Sequence, residues 1–223
     1  MSEPPIRCGG VILCGGKSSR MGMPKALLPF GPELLLQRIV RLLAESAAPI
    51  VVVAAADQVL PDLPDDVLIA RDRDVYRGPL AGIAGGLAAL DGVSALDRRV
   101  DAAFVTSCDV PFLSPAFVRR MIERLGDADV AVPRALGFLQ PLAAVYRTSV
   151  LPHVEALLSA DRLRAAFLFE RVRTCELEAD ELLDVDPGLR SLANLNNPAD
   201  YLAAIAEAGF AAPQDGLFGC GIA

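Results

Sequence analysis

The sequence predicts an α/β fold, an open and mostly parallel sheet with helices on both faces. Three observations carry this. Short continuous apolar runs, rich in β-branched residues, recur at residues 11–13, 50–53, 67–70, 102–108 and 129–133. Strands covered by helices on both faces read in this way, without polar alternation. Stretches of helical spacing separate these runs, the order expected of βαβ units with right-handed crossovers. Finally, 223 residues of which 53% are apolar suffice for one such domain with a substantial core. Residues 1–208 are expected to form it, with residues 209–223 a Gly-rich, weakly structured tail.

Taken in order, Val11-Ile12-Leu13 is a buried strand and Gly15-Gly16 turns the chain after it. Residues 34–47 carry Leu35, Leu36, Ile39, Val40, Leu42 and Leu43, the stripe of a helix. Strands at 50–53 and 67–70 follow, then a charged loop from Arg71 to Arg77 and Gly78-Pro79. Residues 80–90 form a helix of small residues, in which Gly82, Gly85 and Gly86 permit close approach to a neighbouring backbone. The fourth strand, 102–108, ends in Asp109-Val110-Pro111. Ser114-Pro115 reads as an N-cap followed by proline in the first turn of a helix over 116–125. After the fifth strand, residues 139–146 are expected at a sheet edge, 149–159 and 161–170 as helices, and 172–176 as a return to the sheet. A turn at Asn194-Leu195-Asn196-Asn197 leads into a closing helix over 198–208.

Composition excludes several functions. The net charge is −7 and no basic block stands out, which argues against a nucleic-acid surface. No run of 18 apolar residues suggests a membrane span, and the first residues do not read as a secretory signal. The five cysteines are odd in number and lack CxxC spacing, as for reduced thiols in a cytoplasmic protein. A single histidine, His153, leaves little room for His-based triads or multi-His metal centres. The chemistry therefore falls to carboxylates, Lys, Arg and backbone amides.

The chain has two lysines, Lys17 and Lys25, and both lie in the loop after the first strand, with Arg20 between them. Glycines at the carboxyl end of a parallel strand let successive N–H groups face phosphate oxygens. The P-loop spacing fails, because its first glycine would fall on Val11, and no G-x-G-x-x-G is present. What remains is L-x-G-G-x-x-x-R-M-G-x-x-K, from Leu13 to Lys25, and it reads as a nucleoside triphosphate loop. Asp109 would reach the same sheet edge. It is a hard oxygen ligand suited to Mg²⁺, which takes one or two carboxylates along with substrate phosphates. Asp72 is a candidate for ribose, base or second substrate, with Asp74 an equal competitor, and Gly78 opens a helix that a ligand can approach closely. The asparagines at 194–197 suit either a polar heterocycle or an Asn-Pro turn. Cys108 reads as strand packing and His153 as a surface or packed residue.

The same motifs, with G-P-L-A-G-I at 78–83, C-D-x-P at 108–111 and N-x-N-x-P at 194–198, resemble the molybdenum cofactor guanylyltransferases, nucleotidyltransferases of the MobA type. The resemblance runs from about Val11 to Leu202. It implies a Rossmann-like sheet of the nucleotide-diphospho-sugar transferase type. It also implies transfer of GMP from GTP to molybdopterin, with release of pyrophosphate and Mg²⁺ as cofactor. Residue by residue, Leu13, Cys14, Gly15 and Gly16, with Ser18, bind the guanine nucleotide, and Arg20 and Lys25 its phosphates. Asp72 and Gly78 line the nucleotide side, Asp109 holds the metal, and Asn196 lies on the pterin side. Transient contact with molybdoenzymes or cofactor-delivery proteins is implied as well. Two departures stand out. Cys14 replaces an alanine, and Ala54-Ala55-Ala56 occupies a place where a polar residue often meets the nucleotide. Three alternatives remain on the sequence alone: the CTP-dependent cytidylyltransferase of the same cofactor, a sugar-nucleotide pyrophosphorylase, and a non-catalytic nucleotide-binding regulator. The Gly15-Gly16 pair, with no Cβ beside the base, favours a purine.

Overall fold

The computed structural model describes residues 6–14, 21–72, 78–94 and 100–211. In chain order the elements are β1 (Cys8–Leu13), β2 (Pro29–Phe30), β3 (Glu33–Leu34), α1 (Leu35–Ala44), β4 (Ile50–Ala55), β5 (Leu68–Asp72), α2 (Pro79–Ser94) and β6 (Ala102–Ser107). There follow α3 (Pro115–Glu123), β7 (Val130–Ala135), β8 (Phe138–Leu139), β9 (Ala143–Arg147), α4 (Leu151–Ser159), α5 (Ala166–Phe169), β10 (Thr174–Glu178) and α6 (Pro198–Glu207). The main sheet runs β10-β7-β9-β6-β1-β4-β5, with β8 paired to β7. β1 pairs in parallel with both β4 and β6, and β4 with β5. The open, mostly parallel α/β sheet expected from the sequence is thus the fold observed.

Burial explains why these runs are strands. Every residue of β1 is buried, so its apolar side chains serve two faces at once. Val11, Leu13, Val51, Val53 and Val105 pack under α2, α4 and α5. Ile12, Ile50, Val52 and Phe104 pack under α1 and α3. Burying each such side chain contributes about 1.5–3 kcal/mol. The glycines of α2 set its distance from the sheet. A Cβ on Gly82 would meet Leu13 Cδ1 at 3.0 Å, and one on Gly86 would meet Val11 Cγ1 at 2.3 Å. At the start of α3, Ser114 Oγ accepts from Phe117 N at 3.4 Å, with Pro115 in the first turn, as the sequence predicts.

Two expectations are corrected. Residues 139–146 are not at a sheet edge: β9 lies inside the sheet, antiparallel to both β6 and β7. Its buried run Ala143-Ala144-Val145-Tyr146 is covered on both faces, which an edge strand would not be. Residues 161–170 are helical only at Ala166–Phe169, because Asp161 takes a left-handed conformation, φ 56°, that ends the preceding helix. The return to the sheet is β10, parallel to β7 at the edge.

A third apolar cluster lies beyond the sheet. Met21, Leu28, Phe30 and Leu35 pack against Leu195, Tyr201, Ala204 and Ile205, so the last helix holds the segment that follows the glycine loop. The Tyr201 hydroxyl donates to the Pro29 carbonyl, and the Phe210 ring stands edge-on to Phe30 at 5.6 Å. Most of the expected tail, residues 212–223, lies outside the described residues.

Candidate active site

The strand order places a crevice at the end of β1. From β1 the chain winds outward to β4 and β5, then returns to the other side of β1 as β6. Ligands of open α/β sheets bind at the carboxyl ends of strands where the winding reverses in this way. There Leu13 is in register with Ser107 of β6. Cys14 N donates to Val53 O at 2.8 Å and Cys108 N to Leu13 O at 3.1 Å, so both strand ends are held by the sheet.

Asp109 follows directly. Its Oδ2 accepts from Lys25 Nζ at 2.6 Å and its Oδ1 from the Ser107 hydroxyl at 2.5 Å. The Lys25 and Asp109 side chains are 20% and 13% exposed, so the pair is sheltered but reachable. Lys25 starts a short 3-10 helix, Lys25–Leu27, anchored by buried Met21 and Leu28. Gly22 before it takes φ 69°, a left-handed conformation that glycine adopts without strain. The Met-Gly of the motif is therefore an anchor and a turn that aim Lys25 at the carboxylate.

The asparagine turn reaches the same point. Leu195 N donates to the Asp109 carbonyl at 2.9 Å. Asn197 caps α6, its Oδ1 accepting from Asp200 N at 2.9 Å. Asp200 Oδ2 in turn accepts from Asn196 N at 2.8 Å. Asn194 and Asn196 are exposed beside buried Leu195. The turn reading thus has its cap at Asn197, while Asn196 Nδ2 donates to the Asn194 carbonyl at 3.3 Å.

Leu13, Cys14, Lys25, Asp109 and Asn196 come together at this edge. Gly78, φ 80°, starts α2, whose first turns pack on Leu13 through Gly82. Asp72 ends β5, opposite Ala55 and two strands from Leu13. Its side chain lies outside the described part, as do Asp74, Gly15, Gly16, Lys17, Ser18 and Arg20. His153 is exposed on α4, and Cys108 is buried, both in keeping with the sequence reading.

Two residues escaped the sequence. Gln58 Nε2 donates to the Cys14 carbonyl at 3.2 Å while its Oε1 accepts from Ala55 N at 3.3 Å. Arg71 Nη1 donates to the carbonyls of Ala55 and Gln58, at 3.0 and 2.7 Å. Gln58, a few positions after Ala54-Ala55-Ala56, is thus a polar side chain that reaches the end of β1. No periodicity marks Gln58; only its polarity just beyond an apolar strand could have drawn attention.

The Cys14 thiol is held well above its usual pKa, first by its hydrogen bond with Cys108 and then by burial. It is a packing group, not a nucleophile. Among the described residues no three His, Cys, Asp or Glu side chains gather into a metal cage, and no helix is long and apolar enough to cross a membrane. A groove of about 1000 Å³, lined by Val40, Ala44, Pro49, Ile50 and Val67, opens near the amino ends of the strands. It is far from the converging Lys25 and Asp109, and the strand-end rule favours the latter as the site.

Residues 10–175 match the model of the MobA-like NTP transferase domain. The chain belongs to this family. A probable molybdenum cofactor guanylyltransferase of Carboxydothermus hydrogenoformans is 35% identical over 191 residues, covering 85% of this chain and 91% of the relative. A protein of the same description from Mycobacterium tuberculosis is 36% identical over 203 residues, 89% of this chain and 94% of the relative. Among solved structures, molybdopterin-guanine dinucleotide biosynthesis protein A of Archaeoglobus fulgidus superposes with a TM-score of 0.71 at 20% identity, covering 90% of this chain and 98% of that one. The 2-C-methyl-D-erythritol 4-phosphate cytidylyltransferase of Thermus thermophilus superposes with a TM-score of 0.65 at 19% identity, covering 90% and 98%. Both structures share the fold of the MobA-like domain.

Proposed function

We propose that this MobA-like chain is a cytoplasmic molybdenum cofactor guanylyltransferase, which transfers GMP from GTP to molybdopterin and releases pyrophosphate. One observation carries the reading: Lys25 and Asp109 meet at the carboxyl ends of β1 and β6, 2.6 Å apart, in a chain whose curated relatives bear that activity's name. The relatives' names supply the substrates, and the site supplies the groups such a transfer requires.

The roles are those that the family resemblance implies. Leu13, Cys14, Gly15, Gly16 and Ser18 bind the guanine nucleotide, as do Asp72 and Gly78. Gln58 steadies the Cys14 carbonyl at that edge. Lys25 and Arg20 neutralise phosphate charge, and Asn196 faces the pterin. An oxygen of the molybdopterin phosphate attacks the α-phosphorus of GTP. A new P–O–P linkage forms as the bond from that phosphorus to the bridging β-oxygen breaks, and its electron pair leaves with pyrophosphate. A phosphate nucleophile is already ionised, so no strong base is needed, and positioning with charge neutralisation dominates. This suits a site where, among the described residues, an ammonium meets a carboxylate.

Mg²⁺ fits the donor set at Asp109. Among the described residues Asp109 is a hard carboxylate outside any protein cage, which matches an ion that completes its shell with substrate phosphates and water. When bound, the ion offsets charge on the α-phosphate and on departing pyrophosphate.

Pyrophosphate release, measured with Mg²⁺, molybdenum-loaded molybdopterin and either GTP or CTP, tests the reading. GTP should support release and CTP should not. A preference for CTP would make the protein the cytidylyltransferase, and no release with either would leave a nucleotide-binding regulator.

A further inference from the structure

Asp109 has three acceptor positions engaged, each by a different part of the chain. Ser107 Oγ donates to Oδ1 at 2.5 Å, Lys25 Nζ to Oδ2 at 2.6 Å, and Leu195 N to the backbone carbonyl at 2.9 Å. The two carboxylate partners differ in kind. Ser107 is the last residue of β6, in register with Leu13 of the central strand, so its backbone is fixed. Its hydroxyl is neutral and leaves the carboxylate its full charge. Lys25 reaches Oδ2 on a long side chain from a three-residue helix and is 20% exposed. One oxygen therefore carries a rigid, neutral partner and the other a movable, charged one.

We propose that Ser107 is a positioning residue, which locks Oδ1 so that Oδ2 is left for a cation. Lys25 is the counter-ion of Oδ2 in the nucleotide-free protein and yields that oxygen to the divalent cation when nucleotide arrives. This rests on the guanylyltransferase reading given above. An ammonium 2.6 Å from Oδ2 repels a divalent cation at the same oxygen, so Lys25 and the cation compete in the absence of nucleotide. GTP relieves the competition by offering Lys25 a phosphate. A hydroxyl that orients a metal-binding carboxylate is an outer-shell partner, and loss of such a partner costs about 10–100-fold in metal affinity.

The two residues thus act on metal binding with opposite signs, which a merely structural role at either position would not produce. Mn²⁺ serves as the probe, its bound fraction read by electron paramagnetic resonance without turnover. In nucleotide-free protein, Lys25→Met should bind Mn²⁺ more tightly than wild type. Adding Ser107→Ala to Lys25→Met should weaken that binding by about 10–100-fold, and Ser107→Thr, which keeps the hydroxyl, should not. Circular dichroism checks that each variant is folded; if Ser107→Ala does not fold, Ser107→Cys, a weak donor of similar size, takes its place with the same expectation. Equal Mn²⁺ affinity with and without the hydroxyl overturns the positioning role of Ser107. Unchanged or weaker binding in Lys25→Met overturns the counter-ion role. A separate arm measures water-proton relaxation of Mn²⁺ with GTP and wild-type protein. No enhancement above Mn²⁺–GTP alone would overturn the metal-dependent function itself, an outcome distinct from the other two.

Discussion

Two adjacent glycines of α2 should respond to alanine in opposite ways. A Cβ on Gly86 would lie 2.3 Å from Val11 Cγ1 and 2.9 Å from Cγ2. Carbon atoms pack best at about 3.5–4 Å, so either α2 lifts off the sheet or Val11 leaves its rotamer. Val11 sits at the centre of the sheet and is fully buried, so it has nowhere to go. Overpacking of this kind costs about 1–3 kcal/mol, and the better helix propensity of alanine returns up to about 1 kcal/mol. With so close an approach, Gly86→Ala should lose about 1–2 kcal/mol of stability net. One residue earlier, a Cβ on Gly85 would meet only Val53 Cγ1, at 3.8 Å, an ordinary contact. Gly85→Ala should therefore gain about 0.5–1 kcal/mol. Urea unfolding of both variants measures the difference, provided the slope with denaturant is unchanged. Val11→Ala removes the atoms that clash, so the pair Val11→Ala/Gly86→Ala should show a favourable coupling of about 1–2 kcal/mol in a double-mutant cycle. A Gly86→Ala protein at least as stable as wild type would refute the close-approach argument, as would an equal loss in Gly85→Ala.

The remaining predictions concern the site and the thiols. Asp109→Ala should slow turnover by about 100-fold or more, the loss typical of one key electrostatic stabiliser, and near-normal steady-state rates would remove its metal role. Lys25→Ala should raise the KM for GTP and lower kcat, whereas unchanged kinetics would deny it the phosphates. Burial pushes the Cys8 thiol up to about 12, leaving about one molecule in 10⁴ as thiolate at pH 8. Iodoacetamide should therefore label half-exposed Cys175 well before Cys8 and Cys14, as mapped by peptide mass spectrometry. Equal labelling of Cys8 in native protein would contradict its burial.

What could be read from the sequence, and what could not, divides by the range of the interaction. β1, β4 and β6 announce themselves because a strand covered on both faces must be apolar throughout. Ser114-Pro115 and Asn197-Pro198 mark helix starts because an N-cap is satisfied within its own first turn. Asp109 stood out because it comes just after the last residue of an apolar strand. Lys25 stood out as well, but its pairing with Asp109 did not, since the two lie 84 positions apart in the chain. β9 was misplaced for the same reason. Its local pattern marks it as a strand, but its seat between β6 and β7 is decided by pairings that no local rule contains. Gln58 is the extreme case, an unpatterned residue whose only signal is the carbonyl it finds at Cys14, 44 positions away.

The clasp of the last helix has a consequence for how the protein is made. Met21, Leu28 and Phe30 leave the ribosome well before their covering groups, Leu195 and Tyr201. Synthesis proceeds at about 5–20 residues per second, so the stretch from Asp109 to Leu195 takes roughly 4–17 s to emerge. Throughout that interval the central sheet can assemble while the Asp109 carbonyl lacks its Leu195 donor and the Lys25 segment lacks its cover. The nascent chain is thus a scaffold first, and the Lys25–Asp109 pair is set in its final frame only when α6 docks.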